Sequence, residues 1–359
     1  MKKIILIGNG FDLAHNMKTK HSDVFDFIKE EIIYHKYNAK PLQSYSEYIM
    51  MEDFGISNTD IIMKWYRNDK VDKYLELEYD YNSREMVLRR AGLPEENSVS
   101  FYANLFNAPS KENWESIETT YYDTLSNDAI ESIASINNVN DELKHYKGVL
   151  KYYLKLQEDE IDAKNPPKQS NMVDLFKVKS SELMNYKNEV YSSIALISFN
   201  YTSKIFNHKI KEYNTFNTVK IDSPIHIHNT LKDEEIVFGY GNDTHDNYHR
   251  LLNHANKNEC LKNFKTFNYL NNSKLHQIYH ELSLDNTIDL QIIGLSCSHT
   301  DKTLLKELFT HRSVRYIQVC YHESREEYLK IAVNIARIID DDEIFRKKVI
   351  PFNERLKIS

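Results

Sequence analysis

Short runs of apolar residues, separated by polar stretches with helical spacing, predict a fold that alternates strands and helices. Five runs indicate buried strands, and a sixth, weaker run is interrupted by Pro224, which cannot donate to a sheet ladder. The five are residues 3–7, 194–199, 236–240, 289–294 and 314–320, and the weaker run is 218–228. Most lack strict alternation of apolar and polar residues, which is typical of strands covered on both faces. We therefore expect an α/β fold with a mainly parallel sheet of about six strands, flanked by helices.

The middle of the chain has a different pattern. Residues 34–190 are rich in Tyr, Glu, Lys and Asn and contain few β-like runs. Residues 144–164 have the spacing of a long amphipathic helix, which the following Asn165, Pro166 and Pro167 would end, because proline is poorly tolerated inside a helix. We interpret 34–190 as a large helical insertion, and 1–33 together with 191–359 as the domain that holds the sheet.

Composition narrows the class of protein. The 359 residues are 41% hydrophobic, which is enough for a core and excludes wholesale disorder. No apolar run approaches the length of a transmembrane helix, and the short run before Asp12 argues against an export signal. The net charge of −7 argues against a dedicated nucleic-acid binder. The three cysteines are widely spaced and fit a reducing compartment, so we expect a cytoplasmic protein.

Glycine is scarce, and its positions are informative. Five of the eight glycines lie at or just after a predicted strand: Gly8, Gly10, Gly239, Gly241 and Gly294. A strand followed by a glycine turn is what a nucleotide-binding crevice requires, because the backbone approaches the phosphates closely there. Gly8, Asn9 and Gly10 begin like a dinucleotide-binding motif, but Leu13 occupies the place of its third glycine. An ordinary turn between a strand and a helix is the alternative.

Polar residues follow two more predicted strands. Asn200 comes directly after the run 194–199, so its carboxamide would lie at the rim where open α/β sheets bind ligands; a helix cap or Asx-turn is the alternative. His226 and His228 would share one face of an extended segment, as a base, metal ligands or core residues. A zinc site would need a third ligand such as His245. No zinc motif is present, so we expect no metal.

The segment after Gly294 offers further hydrogen-bonding groups. Ser296 and Asp301 lie just beyond this glycine and could bind the hydroxyl groups of a sugar. For Asp301 we expect capping of the following helix to be the main role. Serine-nucleophile chemistry and a P-loop are not supported, because the sequence contains neither a GxSxG motif nor a GxxxxGK motif followed by Ser or Thr.

Five motifs in a fixed order resemble the bacterial abortive-infection AbiH family. They are IGNGFDLAH (7–15), NWESIE (113–118), SFNYT (198–202), HIHN (226–229) and GLSCSHTD (294–301). The resemblance covers nearly the whole chain. The AbiH family is in turn similar, at a distance, to SIR2-like proteins that bind NAD in a Rossmann-type fold. The resemblance therefore implies a Rossmann-like sheet with the large helical insertion, and NAD as the substrate.

The resemblance also implies which residues form the site. The expected NAD-binding residues are Gly8, Asn9, Gly10, Phe11, Gly239, Gly241, Gly294, Ser296 and Asp301. Asn200 would orient the ribose or the attacking water, and His228 would act as a base through a ribose hydroxyl. Asp12 or Glu118 would supply a carboxylate near the positive charge that develops on the sugar. Asn229 stands where the SIR2 pattern has glycine, and the zinc-binding cysteines of deacylases are missing, which weighs against deacylation more than against NAD binding.

The leading hypothesis is thus an anti-phage effector that hydrolyses NAD at the nicotinamide–ribose bond. Two alternatives stay open: a noncatalytic nucleotide-binding sensor, and a toxin that targets nucleic acid. The toxin would need a basic surface, for which the sequence offers Lys257, Lys262 and Lys265, interleaved with Phe264, Phe267 and Tyr269. We expect neither a membrane nor a nucleic-acid partner. Assembly as a homo-oligomer, or with a partner protein of a defence system, also stays open.

Overall fold

The computed structural model describes residues 1–27, 101, 104–105, 114–127, 132–163, 172–184, 190–283 and 287–358, and the backbone of 75–80 and 85–90. The chain divides into two compact units. Unit 1 comprises Met1–Thr19, Gln157–His249 and Asn263–Ser359, and unit 2 comprises Lys20–Leu156 and Arg250–Lys262. Unit 1 carries the parallel sheet.

The described part of the chain contains both strands and helices. The strands are β1 (Lys2–Ile7), β2 (Leu75–Asp80), β3 (Glu85–Arg90), β4 (Ser193–Ser198), β5 (Ile225–His226), β6 (Ile288–Ile293) and β7 (Val314–Val319). The helices are α1 (Gly10–Ala14), α2 (Trp114–Leu125), α3 (Ile133–Ala163), α4 (Met172–Leu175), α5 (Ser180–Leu183), α6 (Lys204–Phe216), α7 (Asp246–Leu252), α8 (Lys257–Leu261), α9 (Lys265–Asn268), α10 (Lys274–Ser283), α11 (Lys302–Thr310), α12 (Arg325–Ile339) and α13 (Asp342–Lys348). Residues 21–27 are also helical.

One parallel sheet contains strands in the order β5-β4-β1-β6-β7. Ile7 of β1 stands opposite both Ser198 and Ile293, and Ser198 stands opposite His226. The loops after these four strands therefore leave the same edge of the sheet. The chain passes from β1 to one side of the sheet and later returns to the other side at β6, the arrangement that forms a ligand crevice in open α/β sheets. The predicted α/β fold with a parallel, Rossmann-like sheet is confirmed.

Burial on both faces of the sheet explains the apolar runs. Every residue of β1 and of β6 is buried. The helix α12 buries the stripe that its sequence predicts, which consists of Tyr328, Ile331, Ala332, Ile335 and Ile338. These side chains belong to the same core cluster as apolar residues of β1 and β6. The helical spacing in α12 and the apolar runs in the two strands therefore both result from burial in one core.

Two predicted strands differ from the structure. Residues 236–240 are buried but form no strand; Val237 donates one backbone hydrogen bond to the oxygen of His228, at 2.9 Å. An apolar run in a sequence indicates that the residues are buried, but not that they pair in a sheet. Residues 236–240 are buried in a loop. The run 218–228 contributes only the two residues of β5 and an isolated bridge between Ile221 and Ile194, with Pro224 between the two pairings.

Part of the predicted helical insertion lies within the described residues. α2 and α3 are helices, and α3 ends at Ala163, close to the predicted end before Asn165. The same region also contains the antiparallel pair β2 and β3, which we did not predict. Its sequence signal is the alternation of apolar and charged residues in LELEYD, which is typical of a strand.

Candidate functional site

The loops after β1 and β6 meet through their main chains. Gly8 donates its N–H to the oxygen of Ile293 at 3.0 Å, and Gly10 donates to the oxygen of Gly294 at 2.8 Å. A Cβ atom at Gly294 would lie 2.6 Å from the nitrogen of Phe11. Gly294 also has a φ of 64°, a left-handed conformation that favours glycine. These glycines therefore allow two loops to pack closely where the strand order reverses.

The other two predicted glycines also pack against main chain. A Cβ atom at Gly239 would lie 2.0 Å from the oxygen of Asn263, and one at Gly241 would lie 2.6 Å from the oxygen of Thr300. Any larger residue at either position would have to move a neighbouring segment. Both glycines therefore hold the buried loop at 236–241 in place beside the site.

Asn9 and Phe11, which flank Gly10, are both engaged within unit 1. The side-chain amide of Asn9 donates to the oxygen of Thr19 at 2.8 Å. Phe11 is fully buried, and its ring centroid lies 4.5 Å from that of His15 and 5.2 Å from that of Phe206. Asn9 thus ties the turn after β1 to the chain beyond α1, and Phe11 is a core residue in this structure.

Asn200 lies directly after β4, and its side chain spans to the turn after β1. Its Nδ2 atom donates to the oxygen of Gly8 at 3.1 Å. Its backbone N–H donates to Ser198 Oγ at 3.2 Å, and its side chain lies beside the carboxyl group of Asp12. Asn200 therefore joins the carboxyl ends of two neighbouring strands, and it is buried there.

Asp12 is a buried carboxyl group beside Asn200. Thr202 donates its hydroxyl to Asp12 Oδ2 at 2.5 Å. Burial raises the pKa of Asp12 from 3.8 to about 7; the hydrogen bond from Thr202 and the nearby amide of Asn200 oppose this rise, and the charge of Glu158 adds to it. A carboxyl group that titrates near neutral pH can either give or accept a proton, which is the property of a general acid or base.

Glu158 brings a second carboxylate close to Asp12. It lies on α3, within unit 1, and it is buried. Its Oε1 atom accepts hydrogen bonds from the backbone N–H groups of Ser203 and Lys204, at 2.5 and 3.0 Å. A carboxylate stabilises a helix N-terminus by such bonds, so Glu158 fixes the start of α6, the helix that follows Asn200.

His228 is enclosed by hydrogen-bonding groups on both sides of its ring. Nδ1 lies 3.1 Å from the oxygen of Phe199, and Nε2 lies 3.0 Å from Tyr269 Oη and 3.2 Å from Asp301 Oδ1. Because a carbonyl oxygen only accepts, Nδ1 carries a hydrogen in this contact. Nε2 is therefore the nitrogen that can take up or release a proton, and it faces Tyr269 and Asp301.

Asp301 stands at the start of α11 but makes no capping hydrogen bond with its side chain, contrary to the role we expected. Its Oδ1 atom instead accepts a hydrogen bond from Lys265 Nζ at 2.8 Å and contacts His228. Burial alone would raise the pKa of Asp301, but the charges and hydrogen bonds of Lys265 and His228 hold it well below its usual range. Asp301 is thus a buried carboxylate that is stabilised by two basic side chains.

His226 and His228 contact the main-chain oxygens of two consecutive residues. The Nδ1 atom of His226 lies 3.4 Å from the oxygen of Asn200, whereas His228 contacts the oxygen of Phe199. Burial lowers the pKa of His226, and the hydrogen bond to Asn200 only partly offsets this effect, so the neutral form is favoured. The two histidines therefore fix the peptide segment that carries Asn200.

Two further predicted site residues are Ser296 and Glu118. Ser296 is exposed, and its main-chain oxygen accepts a hydrogen bond from Asn334 at 3.0 Å. Glu118 is buried on α2 of unit 2. There Tyr146 is buried as well, and burial followed by the charge of Glu118 raises the pKa of that tyrosine. Ser296 therefore offers an exposed hydroxyl in the loop after β6, whereas Glu118 belongs to the helix α2 of unit 2.

The residues considered for a basic surface do not share one environment. Lys265 is 1% exposed and bound to Asp301, and Lys262 pairs with Glu259 at 3.0 Å. The side chain of Lys257 lies outside the described residues. Lys265 therefore contributes nothing to a surface that could bind nucleic acid.

Sequence analysis missed the roles of Lys265, Tyr269, Thr202 and Glu158. Thr202 had a signal, because it stands two residues after Asn200 in the motif SFNYT. Lys265 and Tyr269 are four residues apart, which is the spacing of neighbours on a helix face, but their partners Asp301 and His228 are distant in sequence. No local pattern reports such partners.

Within the described ranges, no three His, Cys, Asp or Glu residues are grouped so that they could hold a metal ion. No helix in that part of the chain is long and apolar enough to cross a membrane. Two groups of polar side chains stand at the edge where the strands end: Asp12 with Asn200 and Thr202, and His228 with Asp301 and Lys265.

Comparison with protein families identifies the chain. The family model described as "Bacteriophage abortive infection AbiH" matches residues 4–322. The chain belongs to the AbiH family. The matched range includes β1 from Ile4 onward, the other four strands of the parallel sheet and both groups of polar side chains at its edge. Membership implies a role in abortive infection by bacteriophage. No curated protein and no solved structure matches the chain.

Proposed function

We propose that this AbiH protein hydrolyses NAD at the nicotinamide–ribose bond during phage infection. The observation that carries the proposal is the convergence of Asp12, Asn200 and His228 on one edge of a parallel sheet, after β1, β4 and β5. Open α/β sheets bind nucleotides at this edge, where the strand order reverses. The distant resemblance to SIR2-like proteins that we expect from the sequence motifs points to NAD among nucleotides.

The reaction needs positioning and charge stabilisation more than acid catalysis. When the C–N bond breaks, its electron pair moves to the pyridinium ring, which leaves as neutral nicotinamide. The ribose C1′ atom develops oxocarbenium character and bonds to the oxygen of water, which loses a proton. The products are ADP-ribose, nicotinamide and one proton. The protein must hold the ribose, orient the water and place a negative charge near the sugar.

The three side chains suit these tasks. Asn200 orients the ribose or the water through its Oδ1 atom, since its Nδ2 atom donates to Gly8. Asp12 supplies the carboxylate, and its pKa of about 7 makes it able to accept the proton of water. His228 accepts a proton through Nε2, and the Asp301 carboxylate at 3.2 Å stabilises the imidazolium that results.

The test is nicotinamide release by the purified protein, alone and with lysate from phage-infected cells as a trigger. Asn200→Ala and His228→Ala should each reduce turnover about 100-fold or more, the usual loss when a positioned hydrogen bond or a general base is removed. Asn217→Ala and His208→Ala are matched controls, at the far end and on the exposed face of α6, and should keep full turnover. Full activity in folded His228→Ala would exclude the role of base.

A noncatalytic nucleotide sensor is the second candidate function. It is favoured by one observation: Asn200, Asp12 and His228 are all bonded to other protein groups in this structure. A sensor would bind NAD or ADP-ribose tightly without consuming it under any trigger. Binding without nicotinamide release would therefore select the sensor, and the absence of any nucleotide binding would exclude both functions.

A further inference from the structure

Lys265 is an unusual residue in this fold because its side chain is buried. It is 1% exposed at the start of α9, and its backbone N–H is fixed by the oxygen of Tyr240 at 3.0 Å. Lysine is almost never fully buried unless it is paired. Its Nζ atom lies 2.8 Å from Asp301 Oδ1, a distance typical of a charge-assisted hydrogen bond.

The same oxygen of Asp301 also faces His228. The two contacts, 2.8 Å to Lys265 and 3.2 Å to His228 Nε2, place one carboxylate oxygen between a permanent donor and an imidazole. Asp301 is the N-cap residue of α11, but its side chain makes no hydrogen bond to the N-terminus of that helix. The orientation of its carboxylate is therefore set by Lys265 and His228 rather than by the helix that it precedes.

We propose that Lys265 is a positioning residue for His228: it holds the Asp301 carboxylate against Nε2, and so fixes the ring and stabilises the protonated imidazole. The hydrogen bond from Nδ1 to the oxygen of Phe199 fixes the other side of the ring. Lys265 touches no reacting atom in this scheme. The catalytic consequence rests on the proposed function, but the effect of Lys265 on His228 does not depend on which reaction the site performs.

The competing explanation is a structural ion pair. A buried pair is often replaced by apolar residues without loss of stability, so stability alone cannot separate the two roles. The decisive readout is the state of the imidazole. The ¹⁵N chemical shifts of the two ring nitrogens of His228, assigned by their loss in His228→Gln, report which nitrogen carries a proton and how strongly it is hydrogen-bonded.

The experiment compares wild type with Lys265→Met, Lys265→Gln and Lys265→Arg at one pH. We expect Lys265→Met to change the ¹⁵N shift of His228 Nε2, while the shifts of exposed His208 stay constant. The same variant should lower kcat for NAD about 10-fold to 100-fold, as misplacement of a catalytic group does, and should leave KM little changed. Lys265→Arg should restore most of both properties, because it keeps a charged donor. Lys265→Gln has an uncharged donor in place of the ammonium group, and it replaces Lys265→Met in this comparison if that variant fails to fold.

The outcomes separate this inference from the proposed function. Unchanged His228 shifts in folded Lys265→Met, or in folded Lys265→Gln if the former does not fold, would overturn the positioning role. Changed shifts without NAD cleavage by any variant, wild type included, would support the positioning role and count against NAD hydrolysis. Changed shifts with an unchanged kcat would overturn the catalytic consequence.

Discussion

The side-chain amide of Asn200 donates a hydrogen bond to the main-chain oxygen of Gly8 at 3.1 Å. This bond joins the residue after β4 to the residue after β1 at the edge where both strands end. Asp12, whose pKa is raised to about 7, lies beside this amide and accepts a hydrogen bond from Thr202, so a buried amide and a titratable carboxyl group stand together next to a glycine turn. Asn200 and Asp12 therefore lie side by side at the edge where β1 and β4 end.

Asn200→Asp should destabilise the fold. A carboxylate cannot donate to the oxygen of Gly8, and it places a second negative charge beside Asp12. We expect the free energy of unfolding to fall by about 2 kcal/mol or more at pH 8, from one lost buried hydrogen bond and like-charge repulsion. Urea denaturation measures the loss. Asn217→Asp removes a comparable amide-to-carbonyl bond at the end of α6 but adds no carboxylate pair, and an equal loss there would contradict the argument.

The raised pKa of Asp12 should make the stability of the protein depend on pH. In the folded state Asp12 keeps its proton up to about pH 7, whereas in the unfolded chain it loses the proton near pH 3.8. Between these values the folded state binds more protons, so the contribution of Asp12 to stability falls as pH rises from about 4 to 7.

Asp12→Asn should remove this fall. The quantity to compare is the free energy of unfolding of the variant minus that of wild type. This difference should be roughly 2 kcal/mol larger at pH 8 than at pH 5, since one pKa unit corresponds to about 1.4 kcal/mol. Urea denaturation of both proteins at the two pH values gives the difference. Asp174→Asn, at a water-exposed ion pair with Lys177, is the control. A stability gain for Asp12→Asn that is the same at both pH values would show that the Asp12 carboxyl does not titrate in this range.

Sequence predicted those parts of the molecule that local patterns encode. The strands β1 and β6 were predictable because every residue in them is buried, and β7 because it is buried at Val314 and over 317–319. The position of Asn200 followed from its place directly after a buried run. The strand expected at 236–240 was wrong because burial in a loop produces the same apolar run as burial in a sheet.

The electrostatic partners of the site could not be predicted in the same way. Asp301 occupies a helix start in both sequence and structure, yet its side chain bonds to Lys265 and His228. The chain approaches itself there across 36 and 73 positions, and hydrophobic periodicity carries no information about such pairs. Thr202 and Glu158 belong to the same class, since their contacts with Asp12 and α6 are decided by packing.

Gly294→Ala should disrupt the contact between the loops after β1 and β6. Alanine is strained at a φ of 64°, and its Cβ would lie 2.6 Å from the nitrogen of Phe11. We expect a loss of roughly 2–4 kcal/mol in the free energy of unfolding, the sum of a left-handed backbone penalty and overpacking. Thermal and urea denaturation measure it. Exposed Ser296→Ala, in the same loop, should change stability by less than about 0.5 kcal/mol, and similar losses in the two variants would contradict the steric argument.

Tyr269→Phe tests whether the tyrosine hydroxyl occupies a ligand position. Tyr269 Oη lies 3.0 Å from His228 Nε2, the nitrogen that the proposed mechanism assigns to a ribose hydroxyl. A ligand must displace this hydroxyl to reach His228, and one hydrogen bond of this kind contributes about 1 kcal/mol. ADP-ribose, measured by calorimetry, should therefore bind about threefold to tenfold more tightly to Tyr269→Phe than to wild type. Tyr279→Phe, which removes an exposed hydroxyl bonded to Glu307, should leave the affinity unchanged. Weaker binding by Tyr269→Phe would instead make the hydroxyl a ligand-binding group, and equal binding would place the ribose away from His228 Nε2.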